Sequence, residues 1–388
     1  MFIDLLDELA SGVPVLGAPD LRAAFELRYG GTAWIILVGP ILLATFIEAP
    51  LLARSDRWPR ERSIAVALLF QAVFLGLAGL TTHPWGLALA LGLWGAAAGV
   101  TTGVAQAALI AETPGEEERV LARWAFFGSL GDALAPPLVG ASLAILGSLR
   151  PALFAVAAVL LFQALAIALL PRESSLQTAG GGGDEPAEEE EADPSWGAAL
   201  RTALRAPGLL LWLGAAQLCT LLDEIVVAFG GMYMRDVGAV EPALRSAAFL
   251  LFAAAGALAL AVVDRLLVRH PPELVLRFSA LLCGLSFGAW FFLRDPAPML
   301  LAFALVGAFA APLYPMAQAQ AFRASPGRPG RVAAVEKLLA PIDALAPLVL
   351  GWIADRAGIQ VAVALLVLEP LGLLVISLTT SLTSRRRW

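Results

Sequence analysis

Two acidic pairs are the residues of this chain best placed to do chemistry. The tetrapeptide Leu-Leu-Asp-Glu occurs once with Asp7 and Glu8 and again with Asp223 and Glu224. The second copy lies deep inside a strongly apolar segment, where a carboxylate costs several kcal/mol unless it lines a cavity or has a partner. We therefore expect these four carboxylates to bind protons or a cation in a cavity.

The first pair belongs to a denser acidic group. Asp4, Asp7 and Glu8 are spaced i, i+3 and i+4, which predicts that all three lie along one helical face. Carboxylates crowded in a medium of low dielectric oppose one another's ionisation, so at least one should take up and release a proton near neutral pH. Few residues precede Asp7, so either Met1 is not the true start of the first helix or the two pairs lie at different depths.

Composition indicates that membrane-spanning helices carry these residues. Hydrophobic residues make up 59% of the chain and charged residues 15%, and the mean hydropathy is +0.79. These values are atypical of soluble domains, and the continuous apolar runs exclude an outer-membrane barrel. Windows of about twenty apolar residues predict twelve helices, at residues 1–22, 32–53, 63–82, 85–110, 119–147, 149–170, 207–234, 244–267, 274–293, 297–322, 331–354 and 359–381.

The chain contains two related halves in parallel order. The segment Asp-Ala-Leu-Ala-Pro at residues 132–136 recurs at residues 343–347, and Ala105-Gln106 recurs as Ala317-Gln318 at nearly the same offset. A period this long excludes a solenoid. The predicted fold is an all-α membrane protein with twelve transmembrane helices in two pseudo-symmetric six-helix bundles.

A charged segment separates the halves. It contains four consecutive glycines from Gly180 and four consecutive glutamates from Glu188, a composition that favours disorder. We predict an N-terminal six-helix bundle at 1–171, a disordered acidic linker with a short interfacial helix at 172–206, a C-terminal six-helix bundle at 207–383 and a basic cytoplasmic tail at 384–388.

The distribution of arginine predicts the orientation. If the N-terminus is cytoplasmic, the cytoplasmic connections and tails hold eighteen arginines and the opposite side holds seven. Cytoplasmic loops carry the excess of basic residues. We therefore expect a multi-pass protein of a bacterial-type inner (plasma) membrane, with both termini in the cytoplasm.

Covalent catalysis has little support in the sequence. Cys219 and Cys283 lack the spacing of metal ligands, and hydrolase, nucleotide-loop and dinucleotide-binding motifs are absent. A basic aromatic surface of the kind that binds nucleic acid is also absent. We predict that the protein is not an enzyme, needs no cofactor or metal, and has no nucleic-acid partner.

Further polar residues fall inside apolar runs, namely Glu48, Asp132, Asp343 and Glu369. Lys337 is the only lysine in the chain. It is either a counter-ion to Asp343 or to a carboxylate of the fifth helix, a group that holds an anionic substrate, or a side chain that snorkels to the membrane interface.

The loop after the second predicted helix, residues 54–62, reads Arg-Ser-Asp-Arg-Trp-Pro-Arg-Glu-Arg. It resembles the pattern Gly-x-x-x-Asp-Arg-x-Gly-Arg-Arg that the major facilitator superfamily of secondary transporters has between helices two and three. Asp56, Arg57 and Arg60 match, while Leu52 and Pro59 replace glycines of the family. Together with the six-plus-six plan and the charged linker, the resemblance covers essentially the whole chain.

The fifth helix carries a second sign of resemblance. Residues 128–140 are similar to the pattern Gly-x-x-x-Gly-Pro-x-x-Gly of exporters in this superfamily, although Asp132 replaces the proline after Gly131. The pattern favours an exporter that exchanges its substrate for protons. The alternative is that these small residues only let two helices pack closely.

The resemblance implies a cavity between the halves, lined by helices one, four, seven and ten. It favours proton-coupled antiport that exports a small amphiphilic or cationic compound by alternating access, in a monomer that contacts only substrate, protons and lipid. The alternatives are a proton symporter that imports a small metabolite and a non-transporting membrane sensor or assembly factor. The expected substrate and proton site comprises Asp7, Glu8, Asp223, Glu224, Gln106, Gln318 and Tyr314, and the expected coupling and gating residues are Asp56, Arg57, Asp132, Asp343, Lys337 and Glu48.

Overall fold

The structure is a computed structural model, and it describes residues 1–55, 59–112, 117–169, 207–267, 269–324 and 345–385. These residues form helices and short connections, with no β-strand among them. The predicted linker and interfacial helix at 172–206 lie outside the described residues, as do the last three residues of the predicted tail.

The first half supplies six helices. They are α1 (Phe2–Leu16, followed by a short helix Ala18–Ala24), α2 (Tyr29–Thr32, a π-helical stretch Ala33–Val38, and Gly39–Ser55), α3 (Arg60–Leu80), α4 (Pro84–Glu112), α5 (Glu117–Leu146) and α6 (Arg150–Leu169).

The second half supplies six more. They are α7 (Pro207–Leu218, a π-helical stretch Leu221–Ile225, and Val226–Asp236), α8 (Pro242–Leu267), α9 (Pro272–Phe292), α10 (Pro296–Ala310 and Leu313–Ala324), α11 (345–357) and α12 (Ile359–Ala364, a 3₁₀ turn Leu365–Val367, and Leu368–Arg385).

The helices have the length and composition of a membrane protein. Within the described ranges, ten of them are long and apolar enough to cross a bilayer. The other two are α1, which has 15 residues, and α11, which directly follows residues outside the described part. The predicted all-α fold in two six-helix bundles is confirmed.

Two glycines mark the internal repeat in the backbone itself. Gly147, between α5 and α6, has φ +64°, and Gly358, between α11 and α12, has φ +93°. They are separated by the same offset as Asp132 and Asp343. A positive φ is costly for residues with a Cβ, so the two halves use glycine for the same turn.

Small residues bring helices close together around the middle of the molecule. A Cβ placed on Gly131 of α5 would collide with the carbonyl oxygen of Leu5, and one on Gly12 would lie 2.8 Å from the Cβ of Ala135. Across the bundles, a Cβ on Gly140 would lie 2.7 Å from Ser246 of α8. This packing fixes α1 against α5 beside Glu8, and α5 against the N-terminal part of α8.

Candidate functional site

A cavity of about 1130 Å³ lies between the two bundles. Its wall includes residues of α1, α4, α7 and α10, the four helices expected from the resemblance, and also of α2, α5, α8 and α11. Each half therefore contributes four helices to the wall.

Four carboxylates line this cavity. Glu8 comes from α1, Asp132 from α5, and Asp223 and Glu224 from α7. Asp132 lies within electrostatic range of the other three. No lysine, arginine or histidine is present among the described residues of the wall. One member of the first acidic pair, Glu8, thus shares the cavity with both members of the second pair, and the cavity is strongly anionic when its carboxylates are ionised.

The acidic residues of α1 differ in whether they reach the cavity. Glu8 faces the cavity and accepts a hydrogen bond from the Ser11 hydroxyl at 3.3 Å. Asp4 is buried against Trp124 and Gly128 of α5. Asp4 and Glu8, four residues apart, both pack against Gly128 of α5.

Asp7 is directed away from the cavity. It is not among the cavity-lining residues, and its buried Oδ1 has no hydrogen-bond partner. It lies within electrostatic range of Glu48 of α2, whose carboxylate packs against Gly99 of α4. Asp7 therefore interacts electrostatically first with Glu8 and Asp4 of its own helix and then with Glu48 of α2.

The acidic pair of α7 lies on a break in the helix. Cys219 donates its N–H to Ala216 at 3.0 Å, an i−3 bond, and residues Leu221–Ile225 then follow π-helical geometry. The N–H of Leu222 is donated to Glu369 of α12 at 2.6 Å. Single π turns within α-helices often occur at functional sites.

The remainder of the wall is largely apolar. Trp94 of α4, Phe126 of α5, and Phe249 and Phe252 of α8 line the cavity. These four aromatic residues were not predicted as cavity-lining from the sequence. On α8 the signal was available, because Phe249, Phe252, Gly256 and Leu260 recur with helical spacing, but the same spacing is typical of a lipid-facing stripe.

Several residues expected at the site are elsewhere. Gln106, Gln318 and Tyr314 do not line the cavity; they are in the C-terminal parts of α4 and α10. Four other expected residues, Asp56, Arg57, Lys337 and Asp343, lie outside the described residues.

The bundles are joined by polar contacts on one side of the membrane, here called the distal side, which the α1–α2, α7–α8 and α11–α12 connections reach. Asp20 accepts hydrogen bonds from Arg245 at 2.8 Å and from Arg235 at 3.3 Å. Arg235 also donates to the carbonyl oxygen of Pro19. One carboxylate of the first bundle thus holds two arginines of the second.

The same side carries two further cross-bundle contacts. Asp236 accepts hydrogen bonds from Arg22 and, at 2.8 Å, from the hydroxyl of Tyr29. Asp355 accepts from the backbone N–H groups of Tyr29 at 2.8 Å and Gly30 at 3.1 Å, at the start of α2. We call this set of contacts the distal lock; it comprises Asp20, Arg22, Tyr29, Gly30, Arg235, Asp236, Arg245 and Asp355.

Comparisons with known proteins agree with this architecture. Residues 5–339 match the family model described as Major Facilitator Superfamily. A bacterial homologue of the human lysosomal transporter Spinster, solved in an inward-facing and unoccupied conformation, is similar with a TM-score of 0.76 at 14% identity, over 97% of this chain and 95% of that chain. The nucleoside transporter NupG is similar with a TM-score of 0.71 at 15% identity, over 97% and 96%. No curated protein sequence matches significantly.

Proposed function

Because the chain belongs to the Major Facilitator Superfamily of secondary transporters, we propose that it exports a small amphiphilic cation in exchange for protons. The cavity wall carries this proposal. Its four carboxylates, with no basic residue among the described lining, favour a positively charged substrate. In a site of low dielectric these charges act far more strongly than in water.

The aromatic and aliphatic part of the wall supports an amphiphilic substrate. Trp94, Phe126, Phe249 and Phe252 offer ring faces and apolar area beside the carboxylates. A cation over an aromatic face gains about 0.5 to 2 kcal/mol. An organic cation with an apolar body would therefore use both parts of the wall, whereas a hydrated inorganic ion would use only the carboxylates.

Protons and cations compete for the same carboxylates in this proposal. A bound cation favours ionised Glu8, Asp132, Asp223 and Glu224, because opposite charge stabilises the charged form. When the cation leaves, protons neutralise the cavity, and the carrier can reorient without exposing unpaired charge to a dry environment. Asp7, which is outside the wall but within electrostatic range of Glu8, Asp4 and Glu48, is the carboxylate that we assign to proton binding without substrate contact.

The distal lock supports an assignment of the state in the transport cycle. From the arginine distribution we infer that the distal side is extracytoplasmic and that both termini are in the cytoplasm of a bacterial-type cell. The contacts that hold the distal ends together then support an inward-facing state. Export then requires the lock to open. Asp132 contributes to coupling in this proposal, and Asp56, Arg57, Asp343 and Lys337 retain their expected gating roles.

Reconstituted transport tests the proposal. Purified protein in liposomes would be given external tetraphenylphosphonium, a lipophilic organic cation, with the lumen either acidic or alkaline. Antiport predicts protein-dependent uptake only into acidic vesicles, with proton release from the lumen reported by an entrapped pH dye. Asp223→Asn should abolish gradient-driven uptake, while Asp295→Asn, the same change at an exposed residue before α10, should retain it.

The alternatives predict different results. A symporter would accumulate its substrate in vesicles with an alkaline lumen. A sensor or assembly factor would move no substrate in either gradient, and Asp223→Asn would alter only the association with a partner. Unchanged flux and unchanged pH dependence in Asp223→Asn would refute the coupling role of the α7 pair.

A further inference from the structure

Glu369 is a buried carboxylate that the proposed exchange does not use. It lies just after the 3₁₀ turn of α12, is 1% exposed, and is not part of the cavity wall. One carboxylate oxygen accepts the Leu222 N–H at 2.6 Å, and the other, Oε1, is buried without a hydrogen-bond partner. A buried carboxyl group with an unused oxygen inside a membrane bundle requires an explanation.

No counter-charge to Glu369 is present among the residues that the structure describes. The titratable groups that face it are Cys219 and Asp223 from α7 and Cys283 from α9. The nearest arginine along α9, Arg277, is bonded instead to Ser377, about two turns further along α12. Among the described residues, no salt bridge involves Glu369.

The single hydrogen bond of Glu369 is made to the break in α7. In a regular α-helix the N–H of Leu222 would be donated to the carbonyl oxygen four residues earlier. Here it is donated to Glu369, in the π-helical stretch that presents Asp223 and Glu224 to the cavity. Each residue gained or lost in a helical turn rotates the following side chains by about 100°.

We propose that Glu369 is a second proton-binding residue, which positions the α7 acidic pair from outside the cavity. Ionised Glu369 accepts the Leu222 N–H as a charge-assisted hydrogen bond and maintains the π-helical stretch. Protonated Glu369 binds that N–H more weakly, so the stretch relaxes towards regular helix and Asp223 turns away from the cavity.

The proton reaches Glu369 through Asp223, the neighbour that also lines the cavity. In this step the Asp223 carboxyl group loses its proton and becomes a carboxylate, while the Glu369 carboxylate becomes a carboxyl group. Charge and atoms balance without any co-reactant. The inference rests on the proposed function for its biological role, but the titration of Glu369 and the response of α7 are properties of the protein alone.

Two measurements without substrate test these properties on the full chain in lipid nanodiscs. Infrared difference spectra between acidic and alkaline buffer should contain a carboxyl band that Glu369→Gln removes and Glu369→Asp shifts. Hydrogen–deuterium exchange, corrected for intrinsic pH dependence, should show faster exchange of residues 219–226 at acidic pH in the wild type and no such change in Glu369→Gln.

The control is Ser377→Ala, which removes a buried polar contact on the same helix without touching the Leu222 bond. It should keep the infrared band and the pH-dependent exchange. A band and an exchange profile that persist in Glu369→Gln would overturn the proposal. If Glu369→Gln fails to fold, the band position in Glu369→Asp decides: an unshifted band also overturns it.

Transport distinguishes this inference from the proposed function. If wild-type protein moves no tetraphenylphosphonium while the infrared and exchange results hold, the substrate assignment is wrong and Glu369 remains a proton site. If wild-type exchange with protons is intact, Glu369→Gln should alter the pH profile of the apparent KM, and Ser377→Ala should retain the wild-type profile. Retention in Glu369→Gln contradicts the positioning role.

Discussion

Replacement of Asp20 by asparagine should open the distal side of the transporter. Asp20 is the only residue of the first bundle within the distal lock that bonds two arginine side chains of the second bundle. Asparagine keeps the shape of the side chain and one acceptor oxygen, but it removes the charge. The population of molecules with separated distal ends should therefore rise.

The expected size of the shift follows from the two contacts. The Arg245 bond is short at 2.8 Å, and that side chain is only 6% exposed, whereas Arg235 is 31% exposed and bonds at 3.3 Å. A hydrogen bond to a charged group contributes about 1.5 to 3 kcal/mol when it is buried, and exposed ion pairs contribute little. We assign about 2 kcal/mol to Asp20→Asn, almost all of it through Arg245, which corresponds to about a thirtyfold change in the equilibrium.

The assay measures distances across the distal side by pulsed electron paramagnetic resonance. Spin labels on Thr82→Cys, between α3 and α4, and Ala297→Cys, at the start of α10, report on opposite bundles, and both positions are exposed. Cys219 and Cys283 are buried and would be replaced by alanine. Asp20→Asn should transfer population from the short distance to a longer one.

Glu26→Gln provides the matched control. Glu26 is an exposed carboxylate in the same α1–α2 connection, and its side chain makes no cross-bundle bond to any residue within the described ranges. It should leave the distance distribution unchanged. An unaltered distribution in Asp20→Asn, or an equal response in both variants, would refute the idea that specific pairs rather than net charge close this side.

Two stability predictions concern packing within the first bundle. Gly131→Leu should lower the melting temperature in detergent, with a destabilisation of about 1 to 3 kcal/mol, because the new side chain would displace Leu5 of α1. The control Gly76→Leu, at a position where a Cβ has no neighbour within 4 Å, should have little effect. Equal losses of stability in the two variants would contradict this prediction. Gln71→Leu should be destabilising by about 1 to 3 kcal/mol, because it breaks the buried 2.8 Å bond to Thr101; an unchanged melting curve would show that the bond is dispensable.

The architecture of two six-helix bundles could be predicted from the sequence, because hydrophobic runs are local signals and the internal repeat is a periodic one. Apolar windows located the helices to within a few residues at most ends, as with α6, predicted at 149–170 and observed at Arg150–Leu169. The repeat that relates Asp132 to Asp343 also relates Gly147 to Gly358, which adopt the same unusual backbone conformation. Such features follow from the order of residues along the sequence alone.

The contacts that build the site were not accessible in this way. Whether Asp7 or Glu8 faces the cavity depends on how α1 is rotated against α5, and this is set by the close approach at Gly131. The distal lock joins residues more than two hundred positions apart, such as Asp20 and Arg245, and charged loop residues have many possible partners. Partner choice requires the relative placement of the two bundles.

The size of the central cavity has a consequence for selectivity. At about 1130 Å³, it exceeds the roughly 300 to 1,000 Å³ of pockets that enclose drug-sized ligands. A guest of ordinary size would share this space with water and adopt more than one pose. The shape of the cavity would then discriminate only weakly between substrates. Chemically dissimilar molecules of equal charge should therefore inhibit one another's transport.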